Sequence, residues 1–431
     1  MERVVVTGIG AVTALGNSFS LSWEALKTGR TGISKITRFD ASFLPWRVAG
    51  ELKGFDPGAY LAQKEVLRLD PFVQYSIAAA IMAVEDAGLI STHSLSLVPP
   101  FGDDLGVIIG SSRGGISTIE KSFLKVFRQL DGKKNDGMMI AANREVRLRP
   151  LPSIMPSTTV GMAASSIAQK LGLKGACLGI SNACASGANA VGEAFRMIKS
   201  GYARMVLAGG TDAPICRWCV EGYGAAGTLS KYDNTSKDIG APRPFDKTRD
   251  GFVLSEGACV MLLEEYGSAM RRGVRIYGEI AGYGNTSDAC HMTRPDSSGE
   301  ARGIFAALKE SGMDAEAVEH FNAHGTATHI GDLVEVQAFR EVFGARATKI
   351  PTTAVKSMTG HMLAASGAFE VASTLMTLHE GIIPPTINLK EKDPACDIAL
   401  VTEGKHGEIR TALSTSFGFG GVNAVVVLKK V

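Results

Sequence analysis

No stretch of this 431-residue chain approaches the roughly 20 consecutive apolar residues that a membrane-spanning helix needs. The opening Met1-Glu2-Arg3 has no basic region leading into an apolar one, so no secretory leader is read there. Charge of one sign is missing too. Lys and Arg total 45 against 43 Asp and Glu, leaving +2, which excludes bulk attraction to nucleic acid or to a membrane. An acidic partner has to be met by a local patch. The seven cysteines follow no regular spacing, which excludes a disulfide framework and suits a reducing cytoplasm. Cys216-Arg217-Trp218-Cys219 has no second pair to complete a zinc site, and Trp218 points to packing rather than to redox chemistry, so no metal is expected. Thr7-Gly8-Ile9-Gly10 after the strand Val4-Val5-Val6 lacks the third glycine of a dinucleotide fingerprint, because position 13 is Thr13. A turn that lets the chain cross a core is expected there instead.

What is abundant is glycine, 50 residues, which implies tight turns and close backbone approaches. A hydrophobic fraction of 45% with 20% charged residues is that of a globular protein of two domains or one duplicated body. Asp70-Pro71 reads as a helix N-cap and first turn, opening a buried helix over Phe72 to Ala87. Buried strands are expected at Gly106 to Gly110, Met205 to Gly210 and Gly257 to Glu265. Between Lys121 and Arg149 the chain carries Lys125, Arg128, Lys133, Lys134, Arg144 and Arg147 with few acids. That stretch reads either as a solvated loop or as a docking surface for an acidic partner.

The later chain repeats the order of signals. Strands are read at Arg275 to Ile280, at His320 running into Gly325, and at Gly420 to Lys430. Lys356-Ser357-Met358-Thr359-Gly360-His361 precedes a long helical pattern, as Asn182 to Ser186 does. Two similar α/β halves are therefore expected, 1–266 and 267–431, packed as one body.

Ser181-Asn182-Ala183-Cys184-Ala185-Ser186-Gly187 lies between a short apolar approach and a helix whose apolar face carries Ala190, Val191, Ala194, Phe195 and Ile198. Cys184 is placed at the helix N-terminus, where free N–H groups lower a thiol's pKa and small neighbours admit a substrate. Alone it reads more readily as a buried structural thiol. Equivalent corners of two related halves would bring His361 to it, with His324 close by. A helix start would hold His361 neutral, and Lys356 and Glu370 could form an orienting pair beside it.

Five ordered motifs reach a family. They are Asn182 to Gly187, Arg243-Pro244-Phe245-Asp246 with Arg249-Asp250-Gly251-Phe252, Asn322-Ala323-His324-Gly325-Thr326-Ala327-Thr328, Lys356 to His361, and Ser416-Phe417-Gly418-Phe419-Gly420-Gly421. Through them the chain resembles the Cys-His-His β-ketoacyl-acyl carrier protein synthases over effectively its whole length. The resemblance implies a thiolase-like fold, a five-layered αβαβα body. It implies acyl transfer to Cys184, then decarboxylative condensation with a malonyl carrier assisted by His324 and His361. It implies an oxyanion site at the N–H groups of Cys184 and Phe419, with Phe419 also gating the cysteine. Lys356 and Glu370 would support the histidines. Thr326 and Thr328 would meet the carrier's phosphopantetheine arm, Phe417 the substrate, and Lys64 and Arg68 the carrier. No cofactor is implied beyond that arm. The assembly would be a homodimer in fatty acid synthesis, or a heterodimer with a chain-length-factor homologue in a type II polyketide system.

The chain departs from the family pattern at Asn182, usually threonine, at His329, commonly proline, and at Leu67, usually basic. Arg113, in Gly110-Ser111-Ser112-Arg113, matches a position that is apolar in many relatives and borders the acyl pocket. Either it is paired away from the pocket or the chain it meets carries oxygens. A degradative thiolase is disfavoured because no cysteine follows Cys396. A non-catalytic partner subunit is disfavoured because Cys184, His324 and His361 are all present.

Overall fold

The computed structural model describes residues 1–91, 94–97, 104–134, 154–231 and 241–431. Ten strands form its frame: β1 Val4–Val12, β2 Leu105–Gly110, β3 Cys177–Ile180, β4 Met205–Asp212, β5 Gly257–Glu265, β6 Gly278–Ser287, β7 His320–Asn322, β8 Pro351–Thr353, β9 Thr411–Gly418 and β10 Val422–Lys429. The first five lie in the order β1-β5-β4-β2-β3, and the second five repeat it as β6-β10-β9-β7-β8. The two halves join edge to edge in one continuous strand order. β1 pairs antiparallel with β6, Val4 to Val6 against Ile280 to Gly278, and a two-residue strand, Ala399–Leu400, extends the far edge.

Six helices cover this sheet: α1 Pro71–Asp86, α2 Met162–Leu171, α3 Ser186–Lys199, α4 Ser297–Ser311, α5 His329–Phe343 and α6 Ala364–Glu380. α1 and α2 lie on one outer face, α4 and α5 on the other, and α3 packs on α6 between the two halves of the sheet. This is the αβαβα layering. α6 carries only buried residues over Ala364 to Leu378, as a helix sandwiched on both sides must.

α1 starts as read. The Asp70 side chain accepts from the Phe72 N–H and Pro71 fills the first turn. The expected turn at Gly8-Ile9-Gly10 is instead the middle of β1. A Cβ at Gly8 would sit 2.1 Å from the Ala83 carbonyl oxygen of α1, and one at Gly10 2.0 Å from that of Ala79. The glycines let a helix lie directly on the strand. Gly282 and Gly284 of β6 do the same under α4, and each strand shifts register just before its first such glycine. The duplication thus extends to the packing device. Strand signals at Arg275 to Ile280 caught only the start of β6.

Lys121 and Lys125 lie on a helix, Ile116–Lys134, rather than in a loop. Arg128, Lys133 and Lys134 fall on the same helix, and Arg144 and Arg147 lie outside the described residues. Among the described residues no helix is long and apolar enough to cross a membrane.

Candidate active site

The two helices of the central layer touch at their N-termini. A Cβ at Gly187 would lie 2.1 Å from the Ala364 carbonyl oxygen, so only glycine allows α3 and α6 to meet there. The residues just before each helix therefore converge: Cys184 before α3 and His361 before α6.

Cys184 sits in a tight 3-10 turn, Ala183–Ala185, between β3 and α3. Ala183 takes a left-handed φ of 48°, a strained setting for a residue with a Cβ. Ser186 holds the turn, donating to the Ala183 carbonyl at 2.6 Å and accepting from the Asn182 N–H at 2.7 Å. The Asn182 amide donates to Asn189 Oδ1, and the Asn189 amide donates to the Tyr283 hydroxyl, a buried polar chain into the second half. The sequence expectation of a lowered thiol pKa is corrected here. Burial pushes Cys184 up, to about 11, against the pull of Lys356, Arg113 and the Phe419 backbone N–H.

His361 Nε2 lies 3.0 Å from Cys184 Sγ. Its backbone is fixed on both sides, donating to Val253 O and accepting from Ser255 N. Ser366 Oγ accepts from the Met362 N–H, so its own proton is free for His361 Nδ1 at 3.3 Å. That assigns the remaining ring proton to Nε2, facing the sulfur. His324 follows β7, its N–H and that of Gly325 both donating to the buried Glu335 carboxylate. Lys356 Nζ donates to the His324 carbonyl at 2.6 Å, approaches His324 Nδ1 at 3.2 Å and pairs with Glu370. The ammonium has only protons to offer, so His324 Nδ1 accepts and Nε2 carries the proton. The ring centroids of the two histidines are 5.6 Å apart.

Both imidazoles are held well below their ordinary pKa, first by burial and then by the Lys356 charge. The helix start invoked from sequence is not the cause. α6 begins three residues after His361. The site therefore presents a thiol and two neutral N–H donors to one space.

That space is a cavity of about 320 Å³ lined by Cys184, His324, His361, Thr326, Thr328, Phe417 and Phe419, with Tyr223 and Phe252 completing the aromatic wall. The hydroxyls of Thr326 and Thr328 are 3.0 Å apart, and Ala327 between them takes a φ of 65°. Arg249 clamps this turn, donating to Thr328 O and His329 O. A Cβ at Gly418 would lie 3.3 Å from Cys184 N, so the turn carrying Phe419 packs directly on the cysteine's N–H.

Lys356 and Glu370 stand behind the histidines and do not line the cavity. Arg113 does not line it either. It is paired all the same: its Nε donates at 2.7 Å to the Oη of Tyr223, a residue of the cavity wall. Lys64 and Arg68 are exposed on a short helix, Gln63–Arg68, apart from the cavity. Tyr223, Ser366, Glu335 and Asp212 were missed from sequence. Asp212 is buried at the end of β4 and accepts from Ser111 Oγ, Ser112 N, Arg113 N and Ala364 N, tying the β2 corner to the start of α6. The free Cys216 and Cys219 are buried at the start of the helix Arg217–Ala225, and Trp218 packs edge-on against Phe123.

Profiles of the β-ketoacyl synthase N-terminal and C-terminal domains match residues 1–269 and 277–390. The chain belongs to the β-ketoacyl synthase family. It is 40% identical to a 3-oxoacyl-[acyl-carrier-protein] synthase 2 of Synechocystis sp. over 100% of this chain and 98% of that one. Its fold matches the ishigamide ketosynthase/chain length factor with a TM-score of 0.87, at 32% identity over 100% and 99% of the two chains. It matches a type II polyketide ketosynthase, solved with its acyl-carrier protein and bound to the hexaketide, with a TM-score of 0.86, at 31% identity over 100% of both chains. The β-ketoacyl synthase is thus an acyltransferase of thiolase-like fold that elongates acyl chains by decarboxylative condensation.

Proposed function

We propose that Cys184 accepts the acyl chain and that His324 and His361 serve the decarboxylation and condensation. The observation that carries this reading is the 3.0 Å contact between His361 Nε2 and Cys184 Sγ, with His324 facing the same cavity. The Cys184 sulfur attacks the thioester carbonyl of the incoming carrier. The C–S bond to the carrier breaks, and the carrier leaves as its thiol with the proton that Cys184 gave up. The oxyanion of that step lies toward the N–H groups of Cys184 and Phe419. A malonyl thioester then enters, and its carbonyl oxygen takes hydrogen bonds from the Nε2 protons of His324 and His361. Carbon dioxide leaves, the enolate carbon bonds to the acyl carbon, and the Cys184–acyl bond breaks to release a 3-oxoacyl thioester and the Cys184 thiolate, which takes a proton from water. Two neutral donors suit an enolate, because charge develops in the transition state and is small before it. Lys356, with Glu370, positions His324 and fixes its tautomer.

The partner is an acyl carrier protein, whose pantetheine arm passes Thr326 and Thr328 while Lys64 and Arg68 meet its acidic surface. No other cofactor is required. We place the enzyme in the cytoplasm, in keeping with its free thiols. The two units are 1–266 and 267–431. The assembly is a dimer through β3, an edge strand on which Cys177, Leu178 and Gly179 are exposed, with Leu178 47% accessible. The ketosynthase/chain length factor likeness keeps the heterodimeric form as the second reading. The test is a condensation assay with acyl and malonyl carriers. Carbon dioxide and a 3-oxoacyl carrier are expected in equal amounts, and carbon dioxide release without any 3-oxoacyl product from the protein with its dimer partner would overturn the reading.

A further inference from the structure

The wall behind Cys184 carries a polar pair that the condensation does not use. Tyr223, on the helix Arg217–Ala225, lines the cavity and is only 8% exposed. Its ring packs edge-on against Phe252, with centroids 5.6 Å apart, and lies 6.4 Å from that of Phe419. Its hydroxyl accepts from Arg113 Nε, and the guanidinium carbon lies 5.0 Å from the ring centroid. Arg113 is itself fixed at its backbone, because Asp212 accepts its N–H at 3.0 Å. Burial keeps the phenol protonated. Arginine has no acceptor, so the phenolic proton cannot go to Arg113. Among the described residues nothing else accepts it. A buried donor without an acceptor is costly, and a bound chain that supplies an oxygen removes the cost whereas an alkyl chain does not.

We infer that Tyr223, held by Arg113, selects acyl chains that carry an oxygen beyond the thioester carbonyl over saturated chains of the same length. The inference rests on Cys184 being the acyl acceptor and names the substrate class of that site. The aromatic rings around the hydroxyl serve the methylene parts of such a chain. The hydroxyl serves its ketone or alcohol.

The experiment measures the single-turnover rate of Cys184 acylation by intact mass, using octanoyl carrier against its 3-oxo and 5-oxo counterparts. The wild type should load at least one oxo chain about tenfold faster than octanoyl. Tyr223→Phe should bring that ratio close to one, and Arg113→Met should lower it by releasing the phenol. Thermal melting reports whether each variant is folded, and if Tyr223→Phe is not, Arg113→Met carries the test. The inference is overturned if octanoyl loads the wild type as fast as both oxo chains, or if the folded variants keep the wild-type ratio. If no chain loads Cys184, the acyl-acceptor reading falls and the inference falls with it.

Discussion

The corner at Cys184 and the corner at His361 occupy the same place in the two halves, yet they are built differently. The first runs from β3 through one strained turn straight into α3, and its polar partners are neutral: Ser186, Asn182 and Asn189. The second inserts a short helix, Lys356–Thr359, and a left-handed Gly360 with φ 69° before His361. It carries an ion pair, Lys356 with Glu370, 99% shielded from solvent on both sides. Cys184 is half-buried and open to the cavity, whereas His361 is 1% exposed. The comparison teaches that a duplicated backbone supplies convergence, while the local insert decides the chemistry. The bare corner presents a thiol to the cavity. The elaborated corner fixes donors and their tautomers.

The largest effect expected is on the elaborated corner alone. Lys356→Ala leaves Glu370 buried without its cation, which costs about 3–5 kcal/mol of folding stability, read as a drop in the urea midpoint. Cys184→Ala breaks no such pair, and its midpoint should stay near wild type. A separation of roles comes next. His324→Ala should slow malonyl decarboxylation by about 10²–10³, equivalent to roughly 3–4 kcal/mol of barrier, while Cys184 still accepts an acyl chain. Loss of loading in a folded His324→Ala protein would merge the two corners into one function.

The corners should also fail at opposite ends of the pH scale. The His361 pKa is lower folded than unfolded, so as pH falls past about 6.5 the unfolded chain binds a proton that the folded chain refuses. Its stability contribution is full above that pH and is lost below it, by about 1.4 kcal/mol per pH unit. Cys184 is raised from 9.0 to about 11, so its contribution is full below pH 9 and lost as pH rises toward 11. His361→Gln should flatten the acid side of a stability profile and Cys184→Ser the alkaline side. The smallest effect belongs to Ser366→Ala. It removes the partner of His361 Nδ1 for about 1 kcal/mol, and should lower decarboxylation more than it lowers melting temperature.

The corners themselves were legible in the sequence, because a strand signal, small residues and a helical period are local. So was the pairing of Lys356 with Glu370, 14 residues apart across one turn. The strand character of Gly8-Ile9-Gly10 was not, because those glycines answer to a helix about 75 residues away and only the packed sheet reveals it. The partner of Arg113 was hidden for the same reason, since Tyr223 lies 110 residues further on. The direction of the Cys184 pKa was misread because the helix N-terminus is a local cue, whereas desolvation depends on the whole aromatic wall closing over the thiol. The β1–β6 pairing was not legible, because repetition predicts likeness of halves and says nothing of how they join.

The most direct test of the central claim is the intact mass of wild type, Cys184→Ala and His361→Ala after mixing with an acyl carrier and no malonyl carrier. The account predicts one acyl mass on the wild type, mapped to the peptide holding Cys184, the same adduct on His361→Ala, and none on Cys184→Ala. An undiminished adduct on Cys184→Ala would contradict it.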